Sequence, residues 1–352
     1  MVEVKTMNKQ HPLYQEDLQY ILRTADFEQL HGKRFLITGA TGLLGVCLID
    51  SLMLANRQGA EIDIYAVGRS KEKAATRLGE YYDDAHFHFM EQDVRRPFPT
   101  LLQVDYIVPL ASNTHPLAYA QYPIETIDIN VLGASNALQM AFELGATVLY
   151  PSSVEVYGNA RGGDLFTEDY TGQLNLSTAR ACYTESKRLS EALCQSYIAE
   201  RGVNVKIARL SRIFGPTMLM SDSKASSQFI VKAMSGEDIV LKSKGEQLYS
   251  YTYAADAVSA LLYILLHGTT GTPYNVACEA CNVRLKDFAG YCAEWAHRQV
   301  VFDLPSEIEQ KGYSVATRAL LDTQRLQALG WTPHYTMKDA ICRTLSILHH
   351  EE

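Results

Sequence analysis

Short apolar runs and longer amphipathic stretches alternate through the first two thirds of the chain. Arg34 to Thr38, Ile62 to Val67, Phe87 to Phe89, Tyr106 to Ala111, Thr147 to Tyr150 and Val203 to Leu210 are brief and apolar, which predicts six strands. Between them apolar positions recur at helical spacing, after Gly45 to about Leu54, from about Leu117 to Leu144, and from the region of Tyr183 to about Glu200. Strand and helix in strict alternation predict an α/β fold with a doubly wound parallel sheet. Ahead of it residues 1–31 are polar and mixed, with one amphipathic helix from Tyr14 to Ala25 expected to pack on the body or on a second subunit. Past Ser211 the rhythm loosens: Phe229 to Val231, Asp238 to Leu241 and Tyr249 to Tyr253 suggest a smaller lobe, while a helix from Asp256 to His267 returns to the main body.

Composition narrows the function classes. With 352 residues, 47% of them apolar, the chain can bury one large core and a second smaller one. A net charge of -8 and a pI of 5.7, with Lys and Arg spread along the chain, argue against a nucleic-acid or membrane-surface partner. The longest apolar run, Ala257 to Leu266, falls short of the ~20 residues a spanning helix needs. Met1 to Lys5 offers no apolar signal core, and the 7 cysteines are odd and scattered, so a reduced, cytoplasmic setting is expected. Cys278 and Cys281 form a single CxxC pair without nearby histidines, which reads as two small buried residues near a strand end rather than a zinc site.

Chemistry concentrates at strand ends. Gly39-Ala40-Thr41-Gly42-Leu43-Leu44-Gly45 follows the first strand and opens a helix, so backbone NH groups can approach a pyrophosphate while Gly45 lets helix and strand pack closely. The second strand ends in Gly68-Arg69-Ser70-Lys71: an acid there would hold ribose hydroxyls, whereas Arg69 suits a 2'-phosphate and tilts a nicotinamide cofactor from NAD toward NADP. Asp93 and Val94 are expected at the adenine edge, and Leu110 and Ala111 beneath the nicotinamide ribose. Ser153 and Glu155 follow the fifth strand and are pocket candidates. Tyr183 and Lys187 stand four residues apart on one helical face, where an ammonium beside a phenol favours the phenolate and makes Tyr183 a base toward a hydroxyl. The domains then read as an extension (1–31), a Rossmann-type dinucleotide-binding domain (32–210 plus about 254–268) and a substrate-binding lobe (211–253 and 269–352).

Together the glycine turn, Asn130, Ser153, the Tyr183/Lys187 pair and Gly330-Trp331-Thr332-Pro333 resemble the extended short-chain dehydrogenase/reductase family, in its nucleotide-sugar epimerase, dehydratase and decarboxylase group. Thr167 to Tyr170, Ala179 to Arg188 and Phe214 to Met218, with Ser227 to Ile230 behind, look most like UDP-glucuronate decarboxylases. The resemblance implies a nucleotide-diphosphate sugar as substrate and a tightly held nicotinamide cofactor. Tyr183 would take the C4 hydroxyl proton, Ser153 would hydrogen-bond the same oxygen, and the resulting 4-keto sugar would open the way to decarboxylation, epimerisation or dehydration. It further implies that Lys187 grips the nicotinamide ribose with Asn130 nearby, that Asn113, Arg180, Arg212, Gln228, Tyr249 and Arg318 face the substrate, and that two copies pair through a four-helix bundle.

Two departures shape the expectation. Family dehydratases carry an acid directly before the strand-end glutamate, to protonate the leaving C6 hydroxyl; here that residue is Val154, which cannot donate a proton. Decarboxylation or epimerisation is therefore preferred over 4,6-dehydration, although decarboxylases carry serine at the same place. Relatives have asparagine where this chain has Arg212 and arginine where it has Tyr249, so a cation has moved from one wall of the site to the other, or Arg212 pairs with a carboxylate at the lobe junction. A net NADP-dependent ketone or aldehyde reductase and a non-catalytic dinucleotide-sensing module are the alternatives.

Overall fold

The computed structural model describes residues 7–99, 103–158, 165–303 and 317–349. Helix α1 (Pro12–Ala25) precedes an alternating series: β1 (Arg34–Thr38), α2 (Leu43–Arg57), β2 (Asp63–Gly68), α3 (Lys71–Leu78), β3 (Phe87–Glu91), β4 (Tyr106–Pro109), α4 (Pro116–Gln121), α5 (Pro123–Leu144), β5 (Thr147–Ser153), α6 (Ala181–Arg201) and β6 (Asn204–Leu210). Then come β7 (Arg212–Phe214), α7 (Ala225–Met234), β8 (Ile239–Leu241), β9 (Leu248–Tyr253), α8 (Ala254–His267), β10 (Pro273–Val276), β11 (Asn282–Arg284), α9 (Leu285–Trp295), β12 (Val300–Phe302), β13 (Arg318–Ala319), and two closing helices, α10 (Gln324–Leu329) and α11 (Met337–Leu348).

Seven parallel strands form the main sheet in the order β10-β6-β5-β4-β1-β2-β3. The strands are continuously apolar because helices cover both faces; Phe35, Leu36 and Ile37 of β1 are all fully buried. The chain runs from β1 outward to β2 and β3, then returns on the other side of β1 as β4, and this reversal opens a crevice at the strand C-termini. The smaller lobe is built on β9, flanked by β7, β11 and β13, with β8 and β12 paired beside it.

Two features differ from the sequence expectation. The helix expected from Leu117 to Leu144 is two helices, broken at Tyr122 because Pro123 has no NH to continue the first and sits well as the first residue of the second. Residues 273–276, expected in the substrate lobe, form β10 at the edge of the main sheet, with Pro273 opposite Ile207 on β6. Helix α1 is clamped to the body by buried carboxylates. Asp50 on α2 accepts from the Tyr14 hydroxyl (2.6 Å), Tyr81 (2.9 Å) and the Lys9 ammonium (2.6 Å). Asp17 on α1 accepts from Tyr253 (2.5 Å), Tyr335 (2.8 Å) and Arg343 (2.9 Å), and Asp256 on α8 from Tyr20 (2.7 Å). No described helix is long and apolar enough to cross a membrane. Cys278 and Cys281 are buried beside the main sheet, their thiols donating to the Tyr335 carbonyl at 3.2 and 3.6 Å.

Candidate active site

The crevice is a cleft of 1400 Å³ between sheet and lobe. Its floor is the β1–α2 turn. Gly39 adopts φ +65°, and a Cβ there would stand 2.7 Å from the Ala111 nitrogen at the end of β4. A Cβ on Gly45 would collide with the Gly39 carbonyl oxygen. Bare backbone therefore faces the cleft at the N-terminus of α2, with Thr41, Gly42, Leu43 and Leu44 lining it and the Thr38 hydroxyl accepting from Ala111 N at 3.1 Å to hold the two strand ends together.

Along the β2 edge, Arg69 lines the cleft and pairs with Glu125 at 2.5 Å, its side chain half exposed. Ser70 caps α3 through Lys73 N, and the Lys73 side chain also faces the cleft. Asp93 is held by Arg95 at 2.5 Å, which keeps its carboxyl below the usual range, and Val94 and Leu110 complete this wall.

Tyr183 is buried on α6, its ring stacked on Tyr119 of α4 with centroids 4.9 Å apart. Burial pushes its phenol up to about 12 and Glu155 adds to the rise, while the hydrogen bond with Ser153 pulls the other way. The Lys187 ammonium donates to the Pro151 carbonyl at 2.9 Å and lies over the Tyr150 ring, and burial lowers it to about 8. In the protein alone, burial moves both members of the Tyr183/Lys187 pair toward their neutral forms. Asn130 is a bracket behind the wall: it accepts from Ser112 (2.7 Å) and donates to Ser186 (2.8 Å), joining the β4 loop, α5 and α6. Lys187 and Asn130 line a small void beneath the cleft rather than the cleft itself.

Arg180, at the start of α6, and Arg212, Gln228 and Tyr249 also line the cleft. Arg212 lies 3.7 Å from the Glu155 carboxylate, and its guanidinium lies 3.6 Å over the ring of Tyr249. Asn113 donates to Thr126 at 3.2 Å, and Gln228 to the Asp222 carbonyl at 2.6 Å. Arg318 stands on β13 opposite Leu248, outside the cleft lining, with a buried Nε that has no hydrogen-bond partner among the described residues. Val154 is buried beside Glu155.

A family model, the NAD dependent epimerase/dehydratase family, matches residues 35–277. The chain belongs to the NAD dependent epimerase/dehydratase family. UDP-glucuronic acid decarboxylase 1 of Xenopus tropicalis is 34% identical over 244 residues, 69% of this chain and 56% of its own, so the chain spans little more than half that relative's length. UDP-glucuronic acid decarboxylase 5 of Arabidopsis thaliana is 30% identical over 325 residues, covering 91% of this chain and 90% of the relative. Among solved structures, an epimerase from Methanothermobacter thermautotrophicus superposes with a TM-score of 0.77 over 96% of each chain at 20% identity. UDP-glucuronic acid 4-epimerase from Bacillus cereus, in complex with UDP-glucuronic acid and NAD, gives 0.76 at 16% identity over 90% of this chain and 98% of its own. Both share the fold.

A family that is NAD dependent implies a dinucleotide, and the residues present fit one: Gly39 and Gly45 let the turn pack against the end of β4 and against itself, which leaves backbone NH groups at the N-terminus of α2 facing the cleft, where a pyrophosphate would be held. Sequence reasoning missed Tyr119, Lys73 and His115. The His115 ring meets the Ser223 hydroxyl at 3.2 Å and ties the nucleotide side of the cleft to the lobe. Tyr119 lies inside what reads from sequence as one long helix from about Leu117, and His115 just ahead of it, so no local signal marked either as a cleft residue.

Proposed function

We propose that the chain is a nucleotide-sugar-modifying enzyme that works through transient oxidation at C4 of the sugar, as a decarboxylase or epimerase. One observation carries the reading: a single cleft joins the glycine turn, the Tyr183–Ser153 pair and, across from them, the arginine Arg212. A nicotinamide bound in this fold would supply reversible hydride transfer, so turnover would have no net redox change. Gly39, Gly42, Gly45, Leu110 and Ala111 would hold that dinucleotide, with Lys187 and Asn130 behind it. Tyr183 moves the proton at the C4 oxygen while Ser153 holds that oxygen in line. A 4-keto sugar bearing a C6 carboxylate is a β-keto acid and sheds carbon dioxide; without that loss, its acidified C5 hydrogen exchanges and the centre inverts. Glu155 is the side chain suited to move a proton at C5. Val154 cannot protonate a leaving C6 hydroxyl, which argues against 4,6-dehydration.

Arg69, with Lys73 beside it, supports NADP over NAD, and the same two cations favour the second reading, a net ketone or aldehyde reductase. A cytoplasmic homodimer is the expected form. The test is to denature the purified protein, identify any released dinucleotide, and incubate the protein with a panel of nucleotide sugars, reading product masses. Loss of carbon dioxide or an isomer of unchanged mass, with stoichiometric bound dinucleotide, supports the proposal. Loss of water points to dehydration, and consumption of added NADPH with a gain of two hydrogens points to the reductase.

A further inference from the structure

Arg212 is poised between partners. Its Nη2 stands 3.7 Å from Glu155 Oε1, too far for a hydrogen bond, whereas a few residues earlier Arg209 grips Glu191 at 2.7 Å. Its Nη1 is buried and has no hydrogen-bond partner among the described residues. Tyr249, 3.6 Å beneath the guanidinium, fixes the plane of the fork without satisfying its NH groups in that plane. One further buried polar atom of the cleft lining lacks a hydrogen-bond partner among the described residues, the acceptor Gln247 Oε1 just before β9. Buried polar atoms are ordinarily satisfied, so the unpaired Arg212 Nη1 in the cleft lining marks a place where a ligand completes the bonding. Among the described residues Glu155 is the one carboxylate within ion-pair distance of Arg212, and Glu155 acts electrostatically on Tyr183.

Resting on the nucleotide-sugar reading, we propose that Arg212 is a shared cation: it holds Glu155 in the free protein and passes to the substrate diphosphate, so that anchoring the nucleotide releases Glu155 to work at the sugar. A guanidinium fork can meet phosphate oxygens with two parallel NH groups, which a single loose contact to Glu155 does not match. The exchange makes Glu155 and the diphosphate competitors for one charge. Removing the carboxylate therefore tightens nucleotide binding.

The experiment is calorimetric titration of the full-length protein with UDP, using uridine as the phosphate-free control. Glu155→Gln is expected to lower the UDP Kd about three- to fivefold, to leave uridine unchanged, and to have no effect in an Arg212→Ala background; Glu155→Ala gives the same result by a second route. Equal UDP affinity in wild type and Glu155→Gln, with UDP bound by both, overturns the shared cation while leaving the nucleotide-sugar reading standing. Tightening seen only with UDP-glucuronic acid moves Arg212 to the sugar carboxylate and overturns the diphosphate assignment. No binding of UDP, dTDP, GDP or CDP to wild type removes the nucleotide-sugar reading and this proposal together.

Discussion

Burial pushes the two groups of the Tyr183/Lys187 pair toward their neutral forms, the phenol up to about 12 and the ammonium down to about 8. For Lys187 the sign follows directly. Its folded-state value lies below the ordinary 10.5, so between about 8 and 10.5 the unfolded chain binds more protons and the folded state gains stability as pH rises; below about 8 the full cost of a buried ammonium is present. Chemical unfolding of wild type and Lys187→Met from pH 7 to 10.5 is expected to show the difference moving in favour of wild type by about 3 kcal/mol, and a constant difference would show that Lys187 does not titrate there. Tyr183→Phe keeps the ring stacked on Tyr119 and removes the hydroxyl facing Ser153. Turnover is expected to fall by about 10²- to 10⁴-fold with the melting temperature nearly unchanged, and undiminished turnover would sink the assignment. That Tyr183 and Lys187 share one helix was legible from spacing, but their electrostatics were not, because desolvation depends on what covers α6.

Among the elements, α1 is the least expected contributor. Its apolar stripe announced a packed helix, and Leu18, Ile21 and Leu22 are indeed buried. What spacing could not announce is that Tyr14, Asp17 and Tyr20 reach separate parts of the body, α2, the β9–α8 junction and α8, and tie them through carboxylates that burial shifts upward. The Tyr20 hydroxyl serves Asp256, which also takes the backbone NH of His334 at 2.8 Å, so losing it leaves a buried carboxylate short of a donor. Tyr20→Phe is expected to cost about 1–2 kcal/mol in urea unfolding, and a loss below a few tenths would reduce α1 to an apolar packing element. The break between α4 and α5 carries the same lesson. Pro123 was visible in the sequence, but a run of apolar positions on both sides hid its effect, and α4 turned out to bring Tyr119 onto Tyr183.

For the whole molecule, α5 and α6 pack together and expose Ile124, Ile127, Leu132, Phe142 and Leu189 on their outer side. Such a stripe on a long helix pair suits a second copy of the chain. Light scattering is expected to give a dimer for wild type and a monomer for Leu189→Glu, and a monomeric wild type would end that expectation. The sequence by itself determined the order of strands and helices, the glycine turn and the tyrosine–lysine pair, because periodicity, turn chemistry and short spacings act within a few residues and need no knowledge of the sheet order. Tertiary structure alone decided that Arg212 meets Glu155 and Tyr249, that β10 joins the main sheet, and that Tyr20 finds Asp256 across 236 residues. Those contacts depend on how strands are ordered and which faces they bury, a choice made by the closing of long loops and the packing of one core, which no local pattern encodes.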